Sequence, residues 1–308
     1  MKINRFALNN YKSIREMFIF FKDINILIGA NGAGKSNLIS FFSFLSQIMN
    51  QNLQITVARS GGADNLLYFG LKKSSFLRSK IVFEDLNNKS VYEMILEPDN
   101  QGNFFFSKES ISYSPDKNSW ETQTFSTGEQ ESKVKDNLNN KTIANKDFSI
   151  SEHILKTFTA LKVYHFHDTS NTAAVKQIGE INDNNYLRED ASNLAAFLYL
   201  LEQKHKTYYK KIESTIKLIA PYFDKFVLKP SAMNPDKIRL EWREKNSDKY
   251  FNASHLSDGT LRMMCLTTLL LQPEPPNTII IDEPELGLHP YAINILATDI
   301  EQFINKKK

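Results

Sequence analysis

The chain has 308 residues, 41% hydrophobic and 24% charged, which is typical of a globular protein and excludes a disordered or fibrous chain. The net charge of +3 is too small to indicate nucleic-acid binding by itself. A single cysteine excludes an internal disulfide, and no apolar run approaches the roughly 20 residues of a membrane span, so we expect a cytoplasmic protein without a membrane partner.

The first fifty residues predict two strands, a third buried strand, a glycine-rich turn and a helix. The runs 2–8 and 16–21 are typical of a strand pair, and the apolar run 24–28 predicts a buried strand. The helix predicted over about 36–50 carries apolar residues at helical spacing. We interpret that face as core, and its members are Leu38, Phe41, Phe42, Leu45 and Ile48.

Closely spaced alternating runs then predict an antiparallel meander, at 79–85, 90–97, 103–108 and 110–114. Residues 115–147 are polar and poor in aliphatic side chains, so we expect a long exposed excursion there. A helix, a strand, two helices and three short strands follow, near 151–159, 160–166, 190–223, 224–230, 237–243 and 249–253. Cys265 lies in an apolar helical run, which favours a core residue over a nucleophile.

Residues 29–36 read GANGAGKS, the pattern of a phosphate-binding loop between a strand and a helix. Glycine lets backbone N–H groups converge on a polyphosphate, and the helix that follows directs its positive end at the same anion. Lys35 should reach the β- and γ-phosphates, and Ser36 should ligate Mg²⁺. The candidate nucleotide-binding residues are Gly29, Asn31, Gly32, Ala33, Gly34, Lys35, Ser36 and Asn37.

A second group of candidates lies near the end of the chain. The segment LSDGT (256–260) precedes a strongly helical run, and the apolar strand 278–281 ends in Asp282 and Glu283. A nucleotide hydrolase needs acids of this kind opposite its phosphate loop. Asp282 would hold Mg²⁺ through water, and Glu283 would act as the general base for the attacking water.

Two further sets of residues have alternative interpretations. His165 and His167 would share a face of a strand, and with Asp168 they could ligate a metal. We favour a hydrogen-bond cluster at a strand end, because no fourth ligand follows and the phosphate loop already accounts for a metal. Arg59 is a candidate phosphate contact, with a solvated side chain as the alternative.

These motifs in combination resemble the ABC-type ATPase heads of the branch that contains the SMC, RecF and OLD (overcoming lysogenization defect) proteins. The resemblance rests on GANGAGKS, LSDGT, TIIIDEPELGLHP and the opening NYKSI. It implies an α/β fold, a two-lobed ABC-type P-loop NTPase head with a mixed central sheet, an antiparallel β subdomain and a helical lobe. The single head would comprise an N-terminal lobe, a helical and β lobe, and the final helices and acidic strand, at 1–166, 167–256 and 257–308.

The same resemblance implies a homodimer that encloses two ATP molecules head to tail. Ser257, Asp258 and Gly259 would then contact the γ-phosphate bound by the other subunit, helped by a helix N-terminus. His289, in the segment 285–290, would cross the interface, with a capping or packing histidine as the alternative. The NYKSI loop lies where the family holds the base, which makes Lys12 and Ser13 candidates. The implied cofactors are ATP and Mg²⁺.

Among such heads, the stretches YHFHDTSNTAAVKQ and DASNLAAFLYLL most resemble stand-alone bacterial AAA-family, OLD-like ATPases, which often accompany an effector gene in phage defence. We therefore expect a protein effector encoded nearby. The family continues with a strand carrying a switch histidine, whereas this sequence ends at Lys308, so we expect a missing C-terminal part or a short head completed by a partner. Two alternatives stay open: a nucleotide-dependent switch with little turnover, and a RecF-like DNA-repair ATPase, with DNA possible but not indicated.

Overall fold

The computed structural model describes five stretches of the chain: 2–84, 88–114, 119–125, 127–139 and 147–306. They form two compact units, Met1–Lys162 and Val163–Lys308. Each unit buries its own set of apolar side chains.

The first unit contains a six-stranded sheet in the order β2-β1-β3-β4-β5-β6. Its strands are β1 Lys2–Tyr11, β2 Ile14–Phe20, β3 Leu77–Glu84, β4 Lys89–Pro98, β5 Phe104–Ser114 and β6 Glu121–Thr124. The predicted hairpin and meander are confirmed, although the runs 103–108 and 110–114 belong to one strand. Every neighbouring pair is antiparallel, so the expected mixed central sheet is wrong for this sheet. Short connections between successive strands favour antiparallel pairing.

Among the described residues of this unit, four α-helices accompany the sheet: α1 Lys35–Met49, α2 Leu53–Arg59, α3 Val134–Asn139 and α4 Asp147–Thr159. The helix predicted after the glycine-rich turn is confirmed, and its five predicted core residues are buried. Phe41 of α1 packs against Phe6 and Tyr11 of β1, with ring centroids 5.6 and 5.1 Å apart. The predicted aromatic face of α1 therefore packs against the sheet, and α1 begins directly after the glycine-rich turn.

The prediction of a buried strand over 24–28 is wrong. No strand is formed there, and Ile26 and Ile28 are 78% and 91% exposed. An apolar run becomes a strand only where a neighbouring strand supplies ladder hydrogen bonds, and no described strand pairs with this one. The apolar pattern of 24–28 does not show whether such a neighbouring strand exists.

Of the predicted exposed excursion over 115–147, residues 115–118, 126 and 140–146 lie outside the described residues, and most side chains described between 119 and 136 are exposed or half-buried, whereas Phe125, Ser132 and Val134 are buried. β6 and α3 fall within it. The buried carboxylate of Glu109 accepts hydrogen bonds from Ser132 Oγ at 2.6 Å and from the Lys133 N–H at 2.9 Å. These bonds attach a polar segment to the sheet, which composition does not reveal.

The second unit is built on four helices: α5 Leu194–Lys204, α6 Lys206–Ile219, α7 Asp258–Leu271 and α8 Pro290–Lys306. Its described strands are β7 Lys162–Tyr164, β8 Gly179–Glu180, β9 Phe223–Phe226, β10 Lys237–Ile238, β11 Glu241–Glu244, β12 Tyr250–Asn252 and β13 Ile279–Ile281. The strand predicted over 237–243 is divided, because β10 pairs with β8 whereas β11 pairs with β9 and β12.

β13 pairs with β7 in a sheet of its own. Helix α7 is buried along most of its length and includes Cys265, whose pKa burial raises to about 12. That thiol is a core residue, as predicted. Each helix in the described part of the chain is too short or too polar to cross a bilayer.

Candidate functional site

The glycine-rich turn has a backbone that other residues adopt only with strain. Gly32 and Gly34 have φ values of +82° and +95°, in the left-handed region that favours glycine. A side chain at Gly34 would also meet Ser13 Oγ at 3.3 Å. The motif's glycines therefore shape the turn into α1, and Asn31, Gly32 and Ala33 lie exposed on it.

The start of α1 is suited to an anion. Gly34 is its N-cap without a side-chain hydrogen bond, and its first turn contains no acid. The Lys35 ammonium lies against the turn, where it donates to the carbonyl oxygens of Gly29 and Ala30. Backbone donors, a helix N-terminus and a cation thus meet in 29–36, which fits a polyphosphate. Ser36 is exposed beside them.

The turn of the first hairpin lies against the same helix start. Asn37 Nδ2 donates to Ser13 Oγ at 2.7 Å, and Lys12 Nζ donates to Ser40 Oγ at 3.1 Å. Burial lowers the pKa of Lys12. Lys12 and Ser13 are therefore adjacent to the phosphate-loop helix, and their contact with a base stays a prediction. Arg59 lies exposed in the last turn of α2.

The acidic strand end follows β13. The N–H of Asp282 donates to the carbonyl oxygen of Tyr164 at 3.2 Å, which extends the pairing with β7. A ring nitrogen of His167 lies 2.8 Å from the Asp282 carbonyl oxygen, so the predicted hydrogen-bond cluster at a strand end exists. Asp168 does not join it, because its carboxylate accepts from the Ser170 N–H at 3.0 Å.

Glu283, the candidate general base, is exposed and has a φ of 44°. A non-glycine residue in the left-handed region costs free energy and is concentrated at functional sites. The backbone therefore turns immediately after Asp282.

The LSDGT segment forms the N-terminus of α7. Ser257 is its N-cap, and its Oγ accepts from the Thr260 N–H at 3.2 Å. Asp258 is exposed in the first turn. A Cβ at Gly259 would lie 2.6 Å from the carbonyl oxygen of Gly287, so only glycine allows this helix to approach the loop that follows the acids.

Arg262 is a residue that the motifs did not indicate. Its guanidinium donates to the carbonyl oxygens of Phe166, His167 and Leu286, at 3.1, 2.9 and 2.9 Å. One side chain of α7 thereby joins the segment after β7 to the loop after β13. The available signal was a single charge inside the apolar helical run TLRMMCLTT.

His289 precedes α8, and its Nδ1 accepts from the Tyr291 N–H at 3.2 Å. This contact fits the capping alternative for His289, and its exposed ring leaves the interface role a prediction. Pro290 is the first residue of α8, as its lack of an N–H predicts.

An anion-binding turn before a helix and a strand that ends in two acids define a P-loop nucleotide-binding protein, here with a central antiparallel sheet and mixed α and β content. Residues 24–308 match the family described as "AAA domain, putative AbiEii toxin, Type IV TA system", and the chain belongs to that family. Membership in an AAA family supports ATP binding and hydrolysis, typically with Mg²⁺. No curated protein matches the chain.

Proposed function

We propose that the protein is an ATPase that dimerises head to tail around ATP and thereby controls a protein effector. The observation that carries this proposal is the position of the LSDGT segment at the N-terminus of α7. Ser257 and Asp258 are exposed at the N-terminus of α7, a direction suited to the γ-phosphate of a second copy. Arg262 of the same helix donates to the loop that follows the two acids. In this proposal, phosphate binding at the start of α7 would therefore shift the loop beside Glu283.

In this proposal the chain's own residues bind, orient and accept a proton. Lys35 and the N–H groups of 29–36 hold the phosphates, and Glu283 accepts the proton of the attacking water. Ser36 and Asp282 would hold Mg²⁺, which when bound neutralises phosphate charge. Hydrolysis of this kind depends on positioning and charge, so a subunit lacking the other's LSDGT segment should turn over slowly.

The family's description refers to a putative AbiEii toxin and a type IV toxin–antitoxin system. We connect the proposed ATP-dependent change with an effector encoded nearby, in phage defence. Duplex DNA that stimulates hydrolysis would instead favour the RecF-like alternative, and ATP binding with negligible turnover would favour the nucleotide-dependent switch.

Mixing two inactive variants tests the shared site. Lys35→Ala removes the phosphate-loop cation, and Ser257→Arg blocks the signature segment. Each alone should lower the rate of phosphate release by about 100-fold or more. An equal mixture should recover at least about a quarter of the wild-type rate, because random pairing already makes half of the dimers mixed and each mixed dimer has one intact site.

The control mixture pairs Lys35→Ala with the double variant Lys35→Ala/Ser257→Arg, which leaves no intact site and should stay inactive. Light scattering of Glu283→Gln with ATP should show a dimer that Lys35→Ala does not form. No recovery in the mixture, together with an ATP-independent oligomeric state for Glu283→Gln, would sink the dimer proposal.

A further inference from the structure

Three side chains with metal-ligating atoms converge in the second unit. His165, His167 and Asp282 each offer one such atom, and these atoms lie within 4.8 Å of one another. His165 Nδ1 is 3.8 Å from a carboxylate oxygen of Asp282, and the two imidazole rings are 6.0 Å apart between centroids. The cluster is therefore compact enough to be considered as one site.

The backbone holds these residues in place. β7 and β13 pair, which sets His165 and Asp282 at neighbouring strand ends. The N–H of His165 donates to the Glu189 carbonyl oxygen at 2.9 Å. Two residues further along, His167 comes back to the same face, and its carbonyl oxygen accepts from Arg262. The three residues lie in the segments that directly follow β7 and β13, so the pairing of these strands brings them together.

The hydrogen bond of His167 is also compatible with metal binding. A metal-ligating histidine usually donates its other ring N–H to a carbonyl or carboxylate, which fixes the ring and its tautomer. His167 Nε2 lies 2.8 Å from the Asp282 carbonyl oxygen. When that nitrogen donates, the other retains a lone pair for a cation. The contact that favoured a purely structural cluster is therefore compatible with a neutral ring that ligates a cation.

We propose that His165, His167 and Asp282 bind a divalent transition-metal ion of the zinc class. Two imidazoles and a carboxylate with open positions suit Zn²⁺ and its neighbours, whereas Mg²⁺ prefers oxygen ligands alone. Ligand atoms on one Zn²⁺ lie about 3.3 Å apart, so the side chains must close by about 1 Å. The His165 side chain is 47% exposed, so solvent on one side leaves room for that movement.

The site shares one residue with the proposed function, because Asp282 is also assigned to Mg²⁺. The two ions would then compete for one carboxylate, and Zn²⁺ would inhibit ATP hydrolysis. Binding of Zn²⁺ to the protein without nucleotide is independent of the phosphate loop, and it is the quantity to measure.

The experiment titrates Zn²⁺ into the nucleotide-free full chain against a chromophoric chelator, with Co²⁺ absorption reporting the ligand type. The wild type should bind one equivalent. His165→Ala/His167→Ala should bind at least about 10-fold more weakly. His205→Ala, which removes an exposed histidine elsewhere in the same unit, should bind as the wild type does.

His167→Gln distinguishes a ligand from a structural residue, because its amide keeps a donor near the Asp282 carbonyl oxygen but provides no ring nitrogen. It should retain the wild-type melting temperature and lose Zn²⁺ affinity. Zn²⁺ should raise the melting temperature of the wild type and not that of the double variant.

Equal Zn²⁺ affinity in the wild type and the double variant would overturn the inference. So would a wild type that binds no Zn²⁺. Either result with ATP-dependent dimerisation intact leaves the proposed function standing. Zn²⁺ binding without that dimerisation would overturn the proposed function alone.

Discussion

The segment before the phosphate loop and the acidic end of the chain differ in how tightly they are held. Ile26 and Ile28 are exposed and belong to no strand. In the second unit, Gly259 contacts the backbone of Gly287 directly, and Arg262 donates three hydrogen bonds to carbonyl oxygens. The first region could form a strand only with a neighbouring strand to pair with. The second region is held by hydrogen bonds and close contacts among its own residues.

This difference separates structure that is decided by neighbouring residues from structure that needs a partner distant in the sequence. The φ values of Gly32 and Gly34 depend on the absence of a Cβ, so the turn keeps its shape even though the segment before it is unpaired. A strand needs a partner that is distant in sequence. The contacts of Arg262 also join distant segments, since they connect the residues after β7 with the loop after β13.

The largest effect in this comparison should come from Arg262→Ala. Three carbonyl oxygens lose their donor, those of the buried Phe166, the half-buried His167 and the exposed Leu286, which should lower the free energy of unfolding by about 1–3 kcal/mol. ATP binding should change little, while kcat should fall about 10-fold to 100-fold, since the loop beside Glu283 is released. Urea melts, nucleotide titration and phosphate release measure the three quantities.

Arg239→Ala is the matched control, because Arg239 is in the same unit and is held by an ion pair with Glu241. It should change the free energy of unfolding by less than about 0.5 kcal/mol. An Arg262→Ala protein with wild-type kcat and stability would mean that the three hydrogen bonds do not organise this region.

The next effect concerns the close approach of α7. Gly259→Ala places a Cβ 2.6 Å from the Gly287 carbonyl oxygen, and a backbone atom cannot rotate away as a side chain can. We expect a loss of about 1–3 kcal/mol in the free energy of unfolding. At Gly179 a new Cβ would meet nothing nearer than 3.9 Å, so Gly179→Ala is the control. Equal melting temperatures for the two variants would argue against the contact.

A smaller effect should appear as a dependence on pH. Burial raises the pKa of Asp299 to about 6, against the hydrogen bond from Thr267, which lowers it. The folded state therefore binds the proton more tightly, so this carboxyl's contribution to stability is greatest below about pH 4 and is lost as the pH rises through about 6.

Asp299→Asn replaces this carboxyl with an amide, which does not titrate. Relative to the wild type, it should gain about 1–2 kcal/mol in the free energy of unfolding between pH 4 and pH 7.5. Urea melts at both pH values give the difference. Asp236→Asn, at an exposed position of the same unit, should give none. If the difference in free energy of unfolding between Asp299→Asn and the wild type is the same at both pH values, this carboxyl is solvated.

Prediction from sequence succeeded where periodicity or backbone chemistry decides the structure. The helix face with Phe41, the meander and Pro290 at the start of α8 needed only local patterns. It failed where a distant partner decides. The run 24–28 has no described strand to join. The bond from Ser132 to Glu109 joins a polar segment to the sheet, which its composition does not indicate. Arg262 was missed because its partners are backbone carbonyl oxygens, which leave no motif in the sequence.

The smallest effect is the sharpest test of the comparison. Ile28 is 91% exposed, so Ile28→Ser should change the free energy of unfolding by less than about 0.5 kcal/mol. The same substitution at Ile81, which is fully buried in β3, should cost at least about 2–5 kcal/mol. Equal costs at the two positions would mean that 24–28 is a buried strand in solution, and the contrast between the two regions would disappear. A cost at Ile28 that arises only with saturating ATP would mean that the nucleotide-bound state buries this side chain, since a ligand stabilises the state that binds it.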